Sequence, residues 1–190
     1  MSNRVLVLAA SPRREGNSTI LAQRAAEGVE ATGGAADVIQ LGGLNIHPCT
    51  ACEVCRSGPD AECIFDDDMQ PLYEKLRESD GVIFASPVYW FNMSAQLKLF
   101  IDRTYAMRKG DKHGLSNKTI GVILTYEDED IYASGGVNAL RSIQDICNYV
   151  KADLVGSVYG TTSKPGEAKN NQQLLQKAYE LGKKIAEANK

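Results

Sequence analysis

The sequence predicts an α/β domain in which helices cover both faces of a mainly parallel sheet. Short, apolar, β-branched runs alternate with segments of helical period along the whole chain, which is the pattern of repeated strand–helix–strand units. The 190 residues, 43% hydrophobic and 24% charged, match the size and composition of one globular domain. We therefore assign residues 1–190 to a single domain and exclude disordered, collagen-like and disulfide-scaffold proteins.

Each element follows from that alternation, taken in chain order. Strands are predicted where the apolar runs fall, at residues 4–9, 36–41, 81–85, 119–125 and 154–160. Helices are predicted where apolar residues take the helical period, at residues 18–32, 68–78, 94–103, 136–150 and 172–188. Asn17 or Ser18 is a candidate N-cap for the first helix, and Asp66 to Asp68 for the second.

The net charge and the lengths of the apolar runs exclude further classes of protein. Lys and Arg number 21 against 24 Asp and Glu, and a net charge of −3 is too mild for a surface that binds nucleic acid or anionic membrane. No apolar run approaches the roughly 18 residues of a membrane span. The N-terminal apolar segment is short and predicts a first strand rather than a signal peptide. We expect a cytoplasmic protein whose partners are small molecules.

The loop after the first strand has the features of an anion site. Residues 10–19 place Gly16, two arginines and the hydroxyls of Ser18 and Thr19 at the start of a helix, where free backbone N–H groups and the helix dipole favour negative charge. An ordinary N-cap with a turn glycine is the alternative interpretation. The segment lacks the glycine patterns of Rossmann and P-loop proteins, so those two classes are disfavoured.

Two further loops follow strands and reach the same edge of the predicted sheet. Tyr89, Trp90 and Phe91 are adjacent, and because neighbouring side chains point in different directions, at least one ring is exposed or covers a flat ligand. The alternative is that one ring fills the core and another a subunit interface. In the long loop 126–135, Ser134 and Gly135 allow close approach of the backbone to a ligand.

Four of the five cysteines fall in one long loop, residues 42–67. Cys49, Cys52, Cys55 and Cys63 have a spacing typical of a metal or redox site in a protein without an export signal, whereas Cys147 stands alone on a helix. Three cysteines at two-residue spacing with a fourth nearby are closer to a cubane iron–sulfur pattern than to paired zinc ligands. Zinc and plain or redox-active thiols stay open as alternatives.

Two motifs identify a family. The segments SPRREGNST (11–19) and SPVYWFNMS (86–94), the latter followed by Lys98 and Asp102-Arg103, resemble the NADPH-dependent FMN reductase family of flavodoxin-like proteins. The resemblance implies a flavodoxin-like, doubly wound domain with a five-stranded parallel sheet in the order 2-1-3-4-5. The cysteine run resembles that of the iron–sulfur flavoprotein subgroup, in which it binds a [4Fe-4S] cluster that exchanges electrons with FMN.

The resemblance supplies the expected site residues of the first two motifs and of the cysteine run, and the position of the third loop at the same sheet edge adds residues there. FMN is expected against Ser11, Arg13, Asn17, Ser18 and Thr19 of the first motif, against Pro87, Val88, Tyr89, Trp90, Phe91 and Asn92 of the second, and against Thr125, Ser134 and Gly135 of the third loop. The expected metal ligands are Cys49, Cys52, Cys55 and Cys63. No acid–base pair or nucleophile is required, because the flavin carries the chemistry.

The expected function is an FMN-dependent NAD(P)H oxidoreductase that passes electrons to a quinone, aromatic or similar small-molecule acceptor. The alternative is an electron carrier that relays electrons between FMN and a [4Fe-4S] cluster, with a ferredoxin-like protein as donor. A flavin-free regulatory or thiol-redox protein is a weaker third hypothesis. Family members are commonly dimers or tetramers, so a homo-oligomer is expected.

Overall fold

The computed structural model of the chain describes residues 3–188, and its elements follow the predicted alternation. Its strands over these residues are β1 (Arg4–Ala9), β2 (Ala35–Gln40), β3 (Gly81–Tyr89), β4 (Asn92–Met93), β5 (Thr119–Tyr126) and β6 (Asp153–Thr161). Its α-helices are α1 (Asn17–Ala31), α2 (Gln70–Glu78), α3 (Ala95–Arg103), α4 (Gly136–Val150) and α5 (Gln172–Glu187). Each helix begins and ends within two residues of its predicted bounds.

Five of the strands form a parallel sheet in the order β2-β1-β3-β5-β6. With the short β4 left aside, this is the predicted order 2-1-3-4-5, and the prediction is confirmed. The strands β1 and β3 are in register from Val5 opposite Gly81 to Ala9 opposite Ala85. Because all five strands point the same way, the loops that follow them meet at one edge of the sheet.

The sheet separates two apolar cores, and alternate residues of one strand enter each. Val5 and Val7 of β1 pack into the core beneath α1 and α5, whereas Leu6 and Leu8 pack into the core beneath α2, α3 and α4. The central strands β3 and β5 are buried on both faces over most of their length, as expected for a covered parallel sheet. Within residues 3–188, no helix has the length and apolarity needed to cross a bilayer.

The third strand differs from its prediction in a way that shapes the site. It continues past Ala85 to Tyr89 and then turns back as β4, with Val88 opposite Met93 in an antiparallel pair. The Ser86 hydroxyl accepts a hydrogen bond from the Ser94 N–H at 2.9 Å, which ties the end of the strand to the returning chain. The predicted aromatic loop is therefore the tip of a hairpin.

Candidate functional site

A pocket opens at the carboxyl-terminal edge of the sheet, where ligands bind in open α/β folds. The loops after β1, β3, β5 and β6 form its wall, and its lining residues are Ser11, Arg13, Gly16, Asn17, Pro87, Val88, Tyr89, Thr125, Tyr126, Glu127, Thr162, Ser163, Lys164 and Pro165. Sequence reasoning missed the last of these loops, residues 162–165. The signal was available, because β6 is parallel to β5 and its following loop must reach the same edge.

The loop after β1 is a tight turn that only glycine can complete at residue 16. The Ser11 hydroxyl accepts a hydrogen bond from the Arg13 N–H at 3.1 Å, and the Gly16 N–H donates to the Arg13 carbonyl at 3.0 Å. A Cβ at Gly16 would lie 2.2 Å from the Ser11 Oγ, so a side chain there would break the turn. The turn leads directly into the first residues of α1, whose N–H groups have no partner within the helix.

The residues around this turn fit a phosphate group. Ser18 is fully buried in the first turn of α1, and its Oγ has no hydrogen-bond partner among the described residues. Arg13 and Lys164 place two cationic residues on the wall of the same pocket. The helix N-terminus and the two cations supply donors and charge that suit a phosphate monoester, whereas the predicted residues Ser18 and Thr19 are buried and do not line the pocket.

Asn17 and Thr19 hold the loops in place. The Asn17 amide donates to the Lys164 carbonyl at 2.9 Å and accepts from the Ala168 N–H at 3.0 Å, which joins α1 to the chain after β6. The Thr19 hydroxyl is buried and contacts the Arg13 carbonyl at 3.4 Å. Both predicted site residues therefore already have partners within the chain.

The hairpin tip presents its aromatic rings outward. Trp90 is 94% exposed, and Phe91 and Tyr89 are about half exposed, so the predicted exposure of at least one ring is confirmed. Trp90 and Phe91 have φ values of 49° and 65°, a left-handed conformation that costs non-glycine residues roughly 1–2 kcal/mol each. The Asn138 amide of α4 donates to the Phe91 carbonyl at 3.0 Å and holds this conformation.

The remaining predicted residues border the pocket without lining it. Trp90, Phe91 and Asn92 form the hairpin tip, and Gly135 packs against that tip so closely that a Cβ there would lie 2.5 Å from the Phe91 Cβ. The Ser134 hydroxyl is turned to its own loop, where it donates to the Ile131 carbonyl at 3.1 Å. The start of α4 therefore buttresses the aromatic hairpin.

The four cysteines of the loop 42–67 line a second cavity. Its lining residues are Cys49, Thr50, Ala51, Cys52, Glu53, Cys55, Cys63, Phe65, Asp102, Arg103, Tyr105 and Ala106, and we call it the cysteine pocket. Burial and the nearby thiols of Cys63, Cys52 and Cys49 raise the pKa of Cys55, so all four thiols lie near one another. Among residues 3–188, no three Cys, His, Asp or Glu side chains stand close enough to hold a single metal ion.

The backbone of the cysteine loop contains two left-handed residues. Ala51 and Glu53 have φ values of 53° and 60°, and the left-handed Glu53 is followed directly by the helical turn that begins at Val54. Turns that alternate left- and right-handed residues are also found around phosphates and iron–sulfur clusters. The four thiols on the pocket wall supply the number of ligands that a [4Fe-4S] cluster takes.

A buried ion pair lies behind the cysteine pocket. Arg103 binds Asp67 through two nitrogens, at 2.5 Å and 3.1 Å, and both side chains are 1% exposed. Although burial alone would raise it, hydrogen bonds from Arg103 and from the His47 and Met69 N–H groups lower the pKa of Asp67 to about 2. The expectation that Asp66 to Asp68 cap the second helix is wrong, because α2 begins at Gln70 and the Asp67 carboxylate faces Arg103.

Another cavity lies at the opposite, amino-terminal edge of the sheet. Its charged residues pair with one another, Lys75 with Asp37 at 2.5 Å and Arg4 with Glu78 at 2.7 Å. Paired charges at the edge away from the ligand-binding loops leave no feature that recognises a ligand. This cavity is not a candidate site.

The sheet order and the anion loop after β1 define a flavodoxin-like protein. The chain is similar to the solved structure of the Trp repressor binding protein from Bacillus subtilis, with 27% identity and a TM-score of 0.69 over 94% of this chain and 98% of that one. It also shares its fold with a WrbA-like flavodoxin from Agrobacterium tumefaciens, with a TM-score of 0.68 at 16% identity over 99% and 98% of the two chains.

The family follows from the sequence match. Residues 3–166 match the model of the NADPH-dependent FMN reductase family, and the chain belongs to that family. It is 33% identical to an iron–sulfur flavoprotein of Methanocaldococcus jannaschii over 97% of this chain and 96% of that protein. The family assignment made from the two motifs is confirmed, and the protein is a flavin oxidoreductase.

Proposed function

We propose that this flavin oxidoreductase carries a [4Fe-4S] cluster on Cys49, Cys52, Cys55 and Cys63 and moves electrons between that cluster and FMN. The observation that carries the proposal is the convergence of the four cysteines on one cavity. A single metal ion needs its ligands to meet at one point, whereas in a cubane each thiolate binds a different iron, so spaced thiols around a cavity favour the cluster over zinc. The similarity to a protein named iron–sulfur flavoprotein supports the same assignment.

The residues of the first pocket would hold FMN through its phosphate. Arg13 and Lys164 would neutralise the phosphate charge, and the free N–H groups at the start of α1 would donate to its oxygens. Pro87, Val88 and Tyr89 would position the rest of the cofactor along the end of β3. FMN, when bound, accepts a hydride from NAD(P)H and gives up electrons singly or in pairs.

An electron-transfer partner would meet the cysteine pocket directly. Cys49 and Cys52 are exposed, so this end of the site is open to a docking protein. A ferredoxin-like donor, itself an iron–sulfur protein, fits such an opening because both centres would exchange single electrons. The exposed Trp90 supports a homo-dimer or tetramer, which light scattering of the purified protein would measure.

The cluster is tested by iron content after purification without oxygen. Wild type should contain about four iron and four sulfide per chain together with FMN. Cys55→Ala should lose most of the iron while FMN remains, since the flavin pocket is built from other loops. Cys147→Ala is the matched control, because Cys147 is a buried residue of α4 that does not line the cysteine pocket. Wild type without stoichiometric iron would overturn the cluster and leave the flavin oxidoreductase intact.

A second candidate function is direct reduction of a quinone, aromatic or similar small acceptor at the flavin. The observation that favours it is the exposed, conformationally strained Trp90 beside the first pocket, since a flat acceptor stacks well on such a ring. Trp90→Ala should then raise the KM for a quinone with NADH or NADPH as donor, whereas Tyr149→Ala, another exposed aromatic, should not. Equal KM values in the two variants would exclude Trp90 from acceptor binding.

A further inference from the structure

Arg103 is a buried cation with spare hydrogen-bonding capacity beside the cysteine pocket. Its side chain forms part of the pocket wall together with the four cysteines. Its terminal nitrogens donate to Asp67 and to the His47 carbonyl, but its buried Nε has no acceptor among the described residues. A buried, charged donor without a partner is costly in a finished protein interior, so its presence at a cavity wall indicates an acceptor that the cavity would hold.

Asp67 fixes this cation in place. Its two oxygens bind the two terminal nitrogens of Arg103 side by side, the geometry in which a guanidinium is held most rigidly. The Arg103 side chain is further covered by the ring of Phe65, whose centroid lies 5.1 Å from the guanidinium carbon. The ion pair therefore presents one edge of a fixed guanidinium rather than a mobile surface charge.

Cys63 is the cysteine that interacts with this cation. Cys63 interacts electrostatically with Arg103 and also with the buried hydroxyl of Tyr73, which donates to the Arg103 carbonyl at 3.1 Å. Tyr73, Arg103 and Cys63 therefore lie close to one another. A donor at that position would meet negative charge as soon as the thiols became thiolates.

We propose that Arg103, held by Asp67, is the fixed cation of the cysteine pocket, that its Nε–H donates to the thiolate-bound centre, and that its charge sets the one-electron reduction potential of that centre. The inference rests on the proposed function, because it assumes that the cysteines hold a cluster. When a four-thiolate [4Fe-4S] centre takes up one electron and no proton, its negative charge rises by one. A cation in a poorly solvated site stabilises the reduced form more than the oxidised form, so it raises the potential.

The test is a redox titration of the cluster followed by electron paramagnetic resonance, with dithionite as the reductant. Arg103→Gln should shift the one-electron equilibrium at least tenfold toward the oxidised form, which is a fall of about 59 mV in midpoint potential. Arg103→Lys keeps the charge and should shift it less. Arg141→Gln is the matched control, because Arg141 is an exposed arginine of α4 that pairs with Asp145, and neither residue lines the cysteine pocket.

A double variant separates an effect on the reduction potential from a loss of folding. Arg103→Gln alone leaves Asp67 buried without its partner. The double variant Asp67→Asn/Arg103→Gln removes both charges. It should still lower the potential of the cluster, because Arg103 lines the pocket and Asp67 does not. Stoichiometric iron with an unchanged midpoint in all Arg103 variants would overturn the inference and leave the proposed function standing. Absence of iron from the wild type would overturn the proposed function itself, and the inference with it.

Discussion

At the scale of single residues, neighbouring arginines of the anion loop have different environments. Both are exposed, but Arg13 lines the pocket at the carboxyl-terminal edge of the sheet, the proposed FMN site, and Arg14 does not. A charge-assisted contact to phosphate contributes roughly 1.5–3 kcal/mol, so Arg13→Ala should weaken FMN binding about ten- to hundredfold. Arg14→Ala should weaken it by much less. Quenching of FMN fluorescence on titration with apoprotein measures both affinities, and equal losses in the two variants would show that general charge, not contact, holds the cofactor.

The lowered pKa of Asp67 predicts that the free energy of unfolding falls in acid. The pKa of this carboxyl is about 2 in the folded protein and 3.8 ordinarily, so the folded state favours the ionised form. Its contribution is complete above pH 4 and is lost as the pH falls toward 2, on the order of 2 kcal/mol. Asp67→Asn should remove that dependence and destabilise the protein at neutral pH, because it leaves the buried Arg103 without its partner.

Urea unfolding at several pH values between 2 and 7 measures this dependence. Asp145→Asn is the control, since Asp145 forms an exposed pair with Arg141 on α4 and should leave the wild-type pH profile unchanged. An Asp67→Asn variant that still loses stability between pH 4 and pH 2 by the wild-type amount would assign the acid transition to other carboxyl groups.

At the scale of elements, the β3–β4 hairpin and the start of α4 form one unit. Gly135 has a φ of 72° and approaches Phe91 so closely that an added Cβ would lie 2.5 Å from the Phe91 Cβ. Gly33 has a similar φ of 82°, but nothing lies within 4 Å of the position of its Cβ. Both Ala substitutions carry the left-handed penalty of about 1–2 kcal/mol, and only Gly135→Ala adds a steric clash.

We therefore expect Gly135→Ala to lower the free energy of unfolding by about 1–3 kcal/mol more than Gly33→Ala, and to change the fluorescence of Trp90. Trp90 is the only tryptophan of the chain, so its emission reports on the hairpin tip alone. Chemical denaturation of both variants gives the difference. Equal destabilisation would show that the hairpin can move away from α4 at little cost.

At the scale of the whole molecule, α1 and α5 cover one face of the sheet, and the two helices lie very close to each other. A Cβ at Gly182 of α5 would lie 1.9 Å from the Ala25 carbonyl oxygen of α1, so the two helices touch backbone to backbone. Gly182→Ala should separate them and cost about 2 kcal/mol or more, despite the better helix propensity of alanine. Lys177→Ala, at an exposed position of the same helix, should stay within about 0.5 kcal/mol of wild type.

Thermal unfolding of the flavin-free proteins measures this effect without the contribution of the cofactor. The pocket proposed for FMN involves α1 only through its first residue, Asn17, and Gly182 is far along α5 from that end. FMN affinity below the melting temperature should therefore stay near the wild-type value in Gly182→Ala. A variant as stable as wild type would mean that the helix pair adjusts its spacing freely.

Much of this protein was determined by local sequence. The apolar runs of β1, β3 and β5 are strands because their side chains are buried on both faces, and the glycine turn at residue 16 needs no distant contact to form. The parallel direction of the strands then brings the loops at 10–16 and 86–94 together. The family motifs lie in those loops, so the fold class could be predicted, and residues of both motifs meet at one pocket, which we propose as the FMN site.

Tertiary structure alone decided the features that join distant segments. The partnership of Asp67 with Arg103 spans 36 residues, and an acidic residue before a helix resembles an N-cap until its partner is known. The left-handed Trp90–Phe91 turn runs against the preference of both residues and is held by Asn138, 47 residues beyond Phe91. Local propensity predicts elements because it depends on neighbours in the chain; it cannot predict a conformation whose free energy comes from contacts made only after folding.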